Sequence, residues 1–307
     1  MGATSQIAKD LIRSFAAQTQ HNLILFARRP DAVVTWLRDM QLHGVYTVAG
    51  FEDFHHDLHF DVVLNFVGVG NPAQAIAMGA SIFDVTLKYD EMAVRYQTAH
   101  PECRYIFLSS GAAYGSRFDE PADENTYAEI PINHLLTRDW YSVAKMYAEC
   151  RHRALPHLPI IDVRVFNYVS RTQDISERFL ITDILRAIKS GKTLKTNQVN
   201  IVRDYIGPSD FFRLIQSIIS SPLTNDVIDC YTKSPIDKFS LLNAMKSKYE
   251  LKYSFCESFE IIDSTGMKMN YYSNNRRAEK FGYEPSGNSL DIVLEESFSV
   301  INSKAII

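Results

Sequence analysis

The chain has 307 residues, of which 46% are hydrophobic and 22% charged, and this composition excludes disordered and fibrous proteins. The formal net charge is −4 and no block of like charges occurs, so neither nucleic acid nor a membrane surface is a predicted partner. The four cysteines are far apart and form no CxxC pair, which predicts no metal site. The sequence shows neither a membrane-spanning run nor a signal-peptide pattern, and we expect a cytoplasmic protein.

Short apolar runs alternate with helical patterns through the first half of the chain. The runs show little polar alternation, as is typical of parallel strands buried on both faces. They span residues 23–27, 45–48, 62–67 and 105–108. Residues 7–15 and 82–99 carry apolar positions at helical spacing. This alternation predicts an α/β fold with a doubly wound parallel sheet.

The second half of the sequence is less regular. Residues 160–166 predict one more buried strand, after which Pro, Gly, Ser and Lys become frequent. Further helices are predicted at 179–189 and 210–220. We therefore predict a core domain over residues 1–167 and a smaller α/β region over 168–307, with residues 198–220 returning to the core.

A glycine-rich turn stands directly before the first predicted helix. The segment GATSQIA begins at Gly2, where a helix N-terminus offers free N–H groups and partial positive charge to the pyrophosphate of a dinucleotide. The candidate cofactor residues of this turn are Gly2, Thr4, Ser5, Gln6 and Ile7. The alternative is an ordinary helix N-terminus that is capped by Thr4 or Ser5.

A dinucleotide-binding turn normally follows a buried strand, and here only Met1 precedes Gly2. The predicted Rossmann-like sheet therefore has its first strand missing from this chain. Our hypothesis is that Met1 is an internal residue of a longer natural product. If it is not, the sheet has a slot between two strands, and stability and cofactor affinity are reduced. An in-frame stop codon immediately upstream of Met1 would contradict the hypothesis.

Two arginines follow the predicted strand 23–27. Arginine pairs with the 2′-phosphate of NADP, whereas an acidic residue at this place accepts from the ribose 2′-hydroxyl of NAD. Arg28 and Arg29 therefore predict NADP, with NAD as a possible cofactor. The alternative is that both are solvated side chains at a strand exit.

A tyrosine and a lysine stand four residues apart in the segment YSVAK. This spacing places Tyr141 and Lys145 on one helix face, where the ammonium group is expected to lower the phenol pKa and to reach the nicotinamide ribose. Ser110 lies upstream, at the end of a predicted strand. The order of the three residues fits a tyrosine acid/base with a serine partner.

The segments YIFLSSGAAYG, YSVAK, VRVFN and VRDYIGPSD together resemble the extended short-chain dehydrogenase/reductase family, in its NAD-dependent epimerase/dehydratase branch, which acts on nucleotide sugars. The resemblance covers nearly the whole chain and implies Ser110, Tyr141 and Lys145 as catalytic residues. It also implies that the region formed by residues 168–307 mainly binds the substrate. Further implied cofactor contacts are Phe66, Val67, Gly68, Ser109, Tyr141 and Lys145. Implied substrate contacts are Ser110, Gly111, Ala112, Asn167, Arg203 and Lys268.

The resemblance also indicates which of the family's reactions to expect. The 4,6-dehydratases of the family place acidic residues directly after the catalytic threonine, where this chain has Gly111 and Ala112, so dehydration is not predicted. The main prediction is NADP-dependent reduction of a keto group on a nucleotide-linked 4-keto-6-deoxy sugar, in polysaccharide biosynthesis. One alternative is a nucleotide-sugar epimerase with tightly bound NAD, and a second is a non-catalytic dinucleotide-binding protein. The implied partners are a nucleotide-diphosphate sugar and a second copy in a homodimer.

Overall fold

The computed structural model describes residues 1–70, 72–256 and 268–302. Its strands are β1 (Ile24–Phe26), β2 (Thr47–Ala49), β3 (Val62–Asn65), β4 (Arg104–Ser110), β5 (Ile160–Val165), β6 (Asn167–Tyr168), β7 (Leu194–Thr196), β8 (Val202–Arg203), β9 (Tyr205–Ile206), β10 (Asp226–Asp229), β11 (Ile236–Asp237), β12 (Tyr253–Phe255) and β13 (Asn270–Tyr271). Its helices are α1 (Gln6–Gln18), α2 (Pro30–Asp39), α3 (Pro72–Met78), α4 (Ser81–Ala99), α5 (Trp140–Arg153), α6 (Leu180–Ser190), α7 (Pro208–Ser220), α8 (Lys238–Tyr249) and α9 (Ser289–Asn302). Within these ranges, every helix is too short or too polar to span a membrane.

The centre of the molecule is a parallel sheet with the strand order β10-β5-β4-β3. β4 and β5 consist largely of β-branched and aromatic residues, which favour strands and bury both of their faces. Tyr105, Ile160 and Val163 are completely buried there. The strands predicted at 62–67, 105–108 and 160–166 correspond to this sheet.

β1 and β2 form a separate parallel pair beside β3. Met1 and Gly2 lie between this pair and the central sheet. The Met1 ammonium donates to the Leu64 carbonyl at 2.7 Å, and the Gly2 N–H donates to the Phe26 carbonyl at 2.9 Å. β2 begins two residues later than the predicted strand 45–48, because Gly44 adopts a positive φ of 80° in a turn that continues to Tyr46.

α1 and α7 pack against each other on one face of the sheet. The Ser5 side chain caps α1 by accepting from the Ala8 N–H, and the apolar face of α1 buries Leu11 and Phe15. Pro208 at the first turn of α7 fits a helix start, because its missing N–H would be unpaired there. Residues 208–220 therefore lie against the helix that follows the glycine turn.

The remaining C-terminal elements build a second core. α6, α8 and α9 bury Leu185, Leu242 and Val293 in one apolar cluster. β8 pairs with β11 on one side and with β13 on the other, in the order β11-β8-β13. This small sheet carries β13 to the carboxyl ends of the central strands, where Ser110 lies.

Candidate active site

Tyr141 and Lys145 lie on the first turns of α5 and face the carboxyl end of β4. The Lys145 side chain is buried, and its Nζ donates to the Leu108 carbonyl at 2.7 Å. The same Nζ is 6.0 Å from the centroid of the Tyr141 ring and 4.4 Å from that of Phe107. The predicted pair therefore shares one helix face and points at the sheet.

Ser110 ends β4 directly beside this pair. Its hydroxyl accepts from the Ala112 N–H at 3.1 Å, which begins the 3₁₀ turn Gly111–Tyr114. Ser110 also lies close enough to the Tyr141 phenol to lower its pKa by hydrogen bonding. The serine, phenol and ammonium groups that the sequence nominated are therefore brought together by β4 and α5.

The protonation of these groups is controlled mainly by burial. Burial raises the pKa of Tyr141, and the hydrogen bond with Ser110 opposes this change. The direction is opposite to the lowering of the pKa that was expected from Lys145, because burial removes water from around the phenolate. Burial lowers the pKa of Lys145 to about 8, while Glu149 acts in the other direction. At neutral pH Tyr141 is therefore a proton donor beside a largely protonated lysine.

A buried charge cluster beneath the site was not anticipated from the sequence. Ser109 donates to Glu149 at 2.5 Å, and Arg164 Nε donates to the same carboxylate at 3.0 Å. The Ser109 side chain, nominated as a cofactor contact, is therefore directed at α5. Glu149 lies one helical turn after Lys145, and that four-residue spacing was the available signal.

His152 on α5 is enclosed by two carboxylates. Its Nδ1 is 2.6 Å from Asp162 and its Nε2 is 2.7 Å from Asp90, and all three side chains are fully buried. Burial alone lowers the pKa of His152, but the two carboxylates outweigh it and raise the pKa to about 9. The protonated ring thus joins α5 to α4 and β5.

Tyr271 is a site residue that sequence reasoning missed. Its hydroxyl is 3.3 Å from the Ser110 hydroxyl, and its ring is buried. Burial raises its pKa, so the phenol is protonated. Tyr271 lies on β13, which pairs with Arg203 on β8, and no local motif in the sequence marks that pairing.

The residues nominated for the substrate surround Tyr271. Asn167 Nδ2 donates to the Asp204 and Tyr271 carbonyls, both at 3.2 Å. The buried Arg203 guanidinium lies 5.8 Å from the Tyr271 ring centroid, and the buried Lys268 ammonium lies 4.4 Å from it. This cationic, aromatic surrounding is suited to an anionic group of a ligand.

Gly111 and Ala112 line the wall next to Ser110. A Cβ on Gly111 would overlap the Phe166 ring, so only glycine fits. Ala112 is buried. Neither residue carries an acid or base, as the sequence analysis stated.

The turn before α1 has the shape of a cofactor cradle. Gly2 has a φ of +78°, and a Cβ there would lie 2.8 Å from the backbone of Phe66 and Val67. Ser5 caps the helix, Thr4 is exposed, Ile7 is half-buried and Gln6 Nε2 is buried without a hydrogen-bond partner among the described residues. A helix N-terminus, a glycine contact and an unpaired amide donor fit a dinucleotide diphosphate.

The second cofactor segment follows β3. The Val67 N–H donates to Asn65 Oδ1 at 2.9 Å, and Phe66 is buried. A Cβ on Gly68 would lie 3.5 Å from Lys145 Nζ, so this loop borders Lys145. Arg28 and Arg29 are exposed directly after β1, next to the Gly2 turn that bonds Phe26.

Known sequences and structures resemble this chain to different extents. Residues 1–229 match the sequence model of the NAD dependent epimerase/dehydratase family. No curated protein sequence matches the chain significantly.

Several solved structures share its fold. UDP-glucose 4-epimerase from Thermotoga maritima, solved with UDP-glucose, has 16% identity and a TM-score of 0.78, covering 97% of this chain and 96% of that one. dTDP-glucose 4,6-dehydratase from Bacillus anthracis, solved with NAD, has 15% identity and a TM-score of 0.76, covering 98% and 95%. UDP-glucuronic acid 4-epimerase from Bacillus cereus, solved with NAD, has 14% identity and a TM-score of 0.74, covering 97% and 96%. The similarity confirms the predicted Rossmann-like α/β fold.

Proposed function

Because the chain belongs to the NAD-dependent epimerase/dehydratase family, as the sequence resemblance predicted, we propose that it epimerises a nucleotide sugar with a tightly held NAD. The observation that carries this proposal is the convergence of Ser110, Tyr141 and Lys145 beside the Gly2 and Gly68 segments. The similar structures support the choice, since two of the three are 4-epimerases, one solved with UDP-glucose and the other with NAD.

The residues of the site supply proton transfer and alignment. A nicotinamide cofactor held by the Gly2 and Gly68 segments would supply the hydride acceptor and donor for the sugar carbon. The Tyr141 phenol has to ionise before it takes the proton of the reacting hydroxyl, and it then gives that proton back, while Ser110 hydrogen-bonds the same oxygen. Lys145, anchored on Leu108, provides positive charge next to the phenol. Epimerisation requires the keto sugar to turn over between the two transfers, so that the hydride returns to the opposite face.

The cluster around Tyr271 fits the diphosphate end of the substrate. Arg203 and Lys268 supply cations, and Asn167 fixes the backbone of the strand that carries Tyr271. Gly111 and Ala112 leave no acid or base beyond Ser110, which argues against dehydration at the neighbouring carbons. Tyr141 as the main acid/base is enough for oxidation and return at a single carbon.

The direct test incubates the purified chain with NAD and a panel of nucleotide-diphosphate sugars, and follows inversion at one carbon by proton NMR. We expect a second epimer to appear without net formation of NADH. Tyr141→Phe is the matched control, because it removes one oxygen and keeps the ring. Absence of epimer from the entire panel, with NAD binding demonstrated by calorimetry, would refute the proposal.

The second candidate is the NADP-dependent reduction of a nucleotide-linked 4-keto-6-deoxy sugar. The specific observation in its favour is the exposed pair Arg28 and Arg29 after β1, since arginine side chains can pair with a 2′-phosphate. Stoichiometric NADPH consumption with a keto-sugar nucleotide distinguishes it from epimerisation.

We also propose a homodimer through α4 and α5. These helices pack together and leave Leu87 and Tyr147 exposed at 39% and 48%. Light scattering of the purified chain measures its mass directly, and replacement of both residues by serine is expected to favour the monomer.

A further inference from the structure

Three side-chain hydroxyl groups lie close together at the carboxyl end of β4. The Ser110 hydroxyl is 3.3 Å from the Tyr271 hydroxyl. Burial raises the pKa of the Tyr141 phenol, and hydrogen bonding with Ser110 lowers it, so these two groups are also neighbours. Ser110 therefore stands between two phenols, one from α5 and one from β13. The direction of its single proton decides which of them it can stabilise.

The hydrogen-bonding capacity of Ser110 limits the direction of that proton. A serine hydroxyl carries one proton and two lone pairs. The Ala112 N–H donates to one lone pair at 3.1 Å. If the Tyr271 hydroxyl donates to the other, both lone pairs are used, and the Ser110 proton is left for Tyr141 or for a substrate oxygen. If Ser110 instead donates to Tyr271, no proton is left for the reacting side.

Tyr271 is suited to the donating role. Burial raises its pKa, so the phenol keeps its proton well above neutral pH. The Ala112 N–H acts against this rise by hydrogen bonding with the Tyr271 oxygen. An oxygen that accepts from an N–H polarises its own O–H bond, which makes that O–H a stronger donor. The Tyr271 proton is therefore available to Ser110.

Contacts on several sides hold the Tyr271 ring in place. Asn167 Nδ2 donates to the Tyr271 carbonyl at 3.2 Å. The Phe118 ring packs edge-on against the Tyr271 ring with their centroids 4.8 Å apart, and the centroid of Phe166 lies at 5.1 Å. A ring packed in this way has little freedom to rotate, so it presents its hydroxyl to Ser110 in one direction.

We propose that Tyr271 is a positioning residue, which donates to Ser110 and thereby orients the Ser110 proton towards Tyr141 and the reacting oxygen. The Ser110 hydroxyl then stabilises the ionised phenol before this phenol takes a proton from the sugar. The inference rests on the proposed function in its choice of Tyr141 as the acid/base. The order of the hydrogen bonds can nevertheless be tested without substrate or cofactor.

The test replaces Tyr141 of the full chain with difluorotyrosine by stop-codon suppression and follows the ionisation of this residue by fluorine NMR as the pH is raised. The fluorines acidify the phenol, so that it ionises while the protein is folded, and they give a signal from this residue alone. Tyr271→Phe removes the proposed donor. Because Tyr271 is neutral, this substitution removes none of the charges nearby, which belong to Lys145, Arg203 and Lys268.

We expect Tyr271→Phe to raise the midpoint of this ionisation by about 0.5–1 pH unit, which makes the phenol an acid about three to ten times weaker. Tyr283→Phe is the matched control, because it removes the same oxygen from a fully buried ring whose hydroxyl donates to the Tyr231 carbonyl at 2.9 Å. The control should leave the midpoint in place. In a Ser110→Ala background, Tyr271→Phe should cause no further change, since it acts through the serine.

An unchanged or lower midpoint in Tyr271→Phe would overturn the proposal. A rise that persists in the Ser110→Ala background would also overturn it, since Tyr271 would then act on the phenol directly. Should Tyr271→Phe fail to fold, Tyr271→Met replaces it in the same comparisons. The expected fluorine titration, together with absence of epimer from the substrate panel, would refute the proposed function and still support the role of Tyr271 in orienting Ser110.

Discussion

The substitution Gly2→Ala tests the cofactor cradle most directly. Gly2 has a φ of +78°, and an added Cβ would approach the Phe66 carbonyl carbon and the Val67 nitrogen to 2.8 Å. A side chain in the left-handed region costs about 1–2 kcal/mol. Overlap with backbone adds about 1–3 kcal/mol, because no side-chain rotation can relieve it. The turn or the end of β3 must therefore shift.

The chain contains a matched control at Gly44, which has a φ of +80° and nothing within 4 Å of its added Cβ. Gly44→Ala has the energetic cost of a left-handed backbone conformation, but its Cβ overlaps no neighbouring atom. We expect it to lower Tm by about 2–4 °C and to leave NAD affinity unchanged. We expect Gly2→Ala to lower Tm further and to weaken NAD binding by about 10–100-fold, at about 1.4 kcal/mol for each factor of ten.

The assay combines thermal unfolding with calorimetric titration of NAD for both variants. The difference between them isolates the contact of Gly2 with the end of β3 from general loss of stability. If Gly2→Ala binds NAD as tightly as Gly44→Ala does, the turn is an ordinary helix start and the cradle assignment is refuted.

Other expectations concern the acid/base group, the buried histidine and cofactor choice. Tyr141→Phe should lower kcat by about 10²–10⁴-fold with little change in NAD affinity, and near-normal turnover would exclude Tyr141 as the acid/base. Since the pKa of His152 is raised from 6.5 to about 9 in the fold, its contribution is complete below pH 6.5 and declines as pH rises towards 9. Tm should fall over that range, and His152→Gln should flatten the fall, whereas an unaltered profile would show that His152 does not titrate there. Replacing Arg28 and Arg29 by alanine should weaken NADP about tenfold and spare NAD, and an unchanged NADP/NAD ratio would remove the case for NADP.

The central sheet was predictable because its signal is local. The segment 160–166 combines β-branched and aromatic residues with Asp162 and Arg164, and this composition favours a strand, as β5 shows. The relative position of Tyr141 and Lys145 was predictable from their four-residue spacing alone, since any helix places residues at that spacing on one face. Ser110 followed from its position at a strand end.

The rest of the site depends on contacts between distant segments. Tyr271 reaches Ser110 only because the two-residue strand β13 pairs with β8, and strands of that length have no periodicity to detect. The expected lowering of the Tyr141 pKa considered only the charge of Lys145. Burial, which depends on the complete fold, proved to be the larger effect.

The hydrogen bond from Lys145 to the Leu108 carbonyl restricts the orientation of the ammonium group as well as its position. An ammonium group has three N–H bonds at tetrahedral angles, and committing one of them to the strand at 2.7 Å fixes the directions of the other two. Gly68 borders this ammonium group, since a Cβ on Gly68 would lie 3.5 Å from Nζ. Arginine would preserve the charge, but its donors lie in one plane, so it could not keep the contact with Leu108 and donate in two further directions from the same atom. The tetrahedral geometry of the lysine ammonium group is therefore as important for its contacts as its charge.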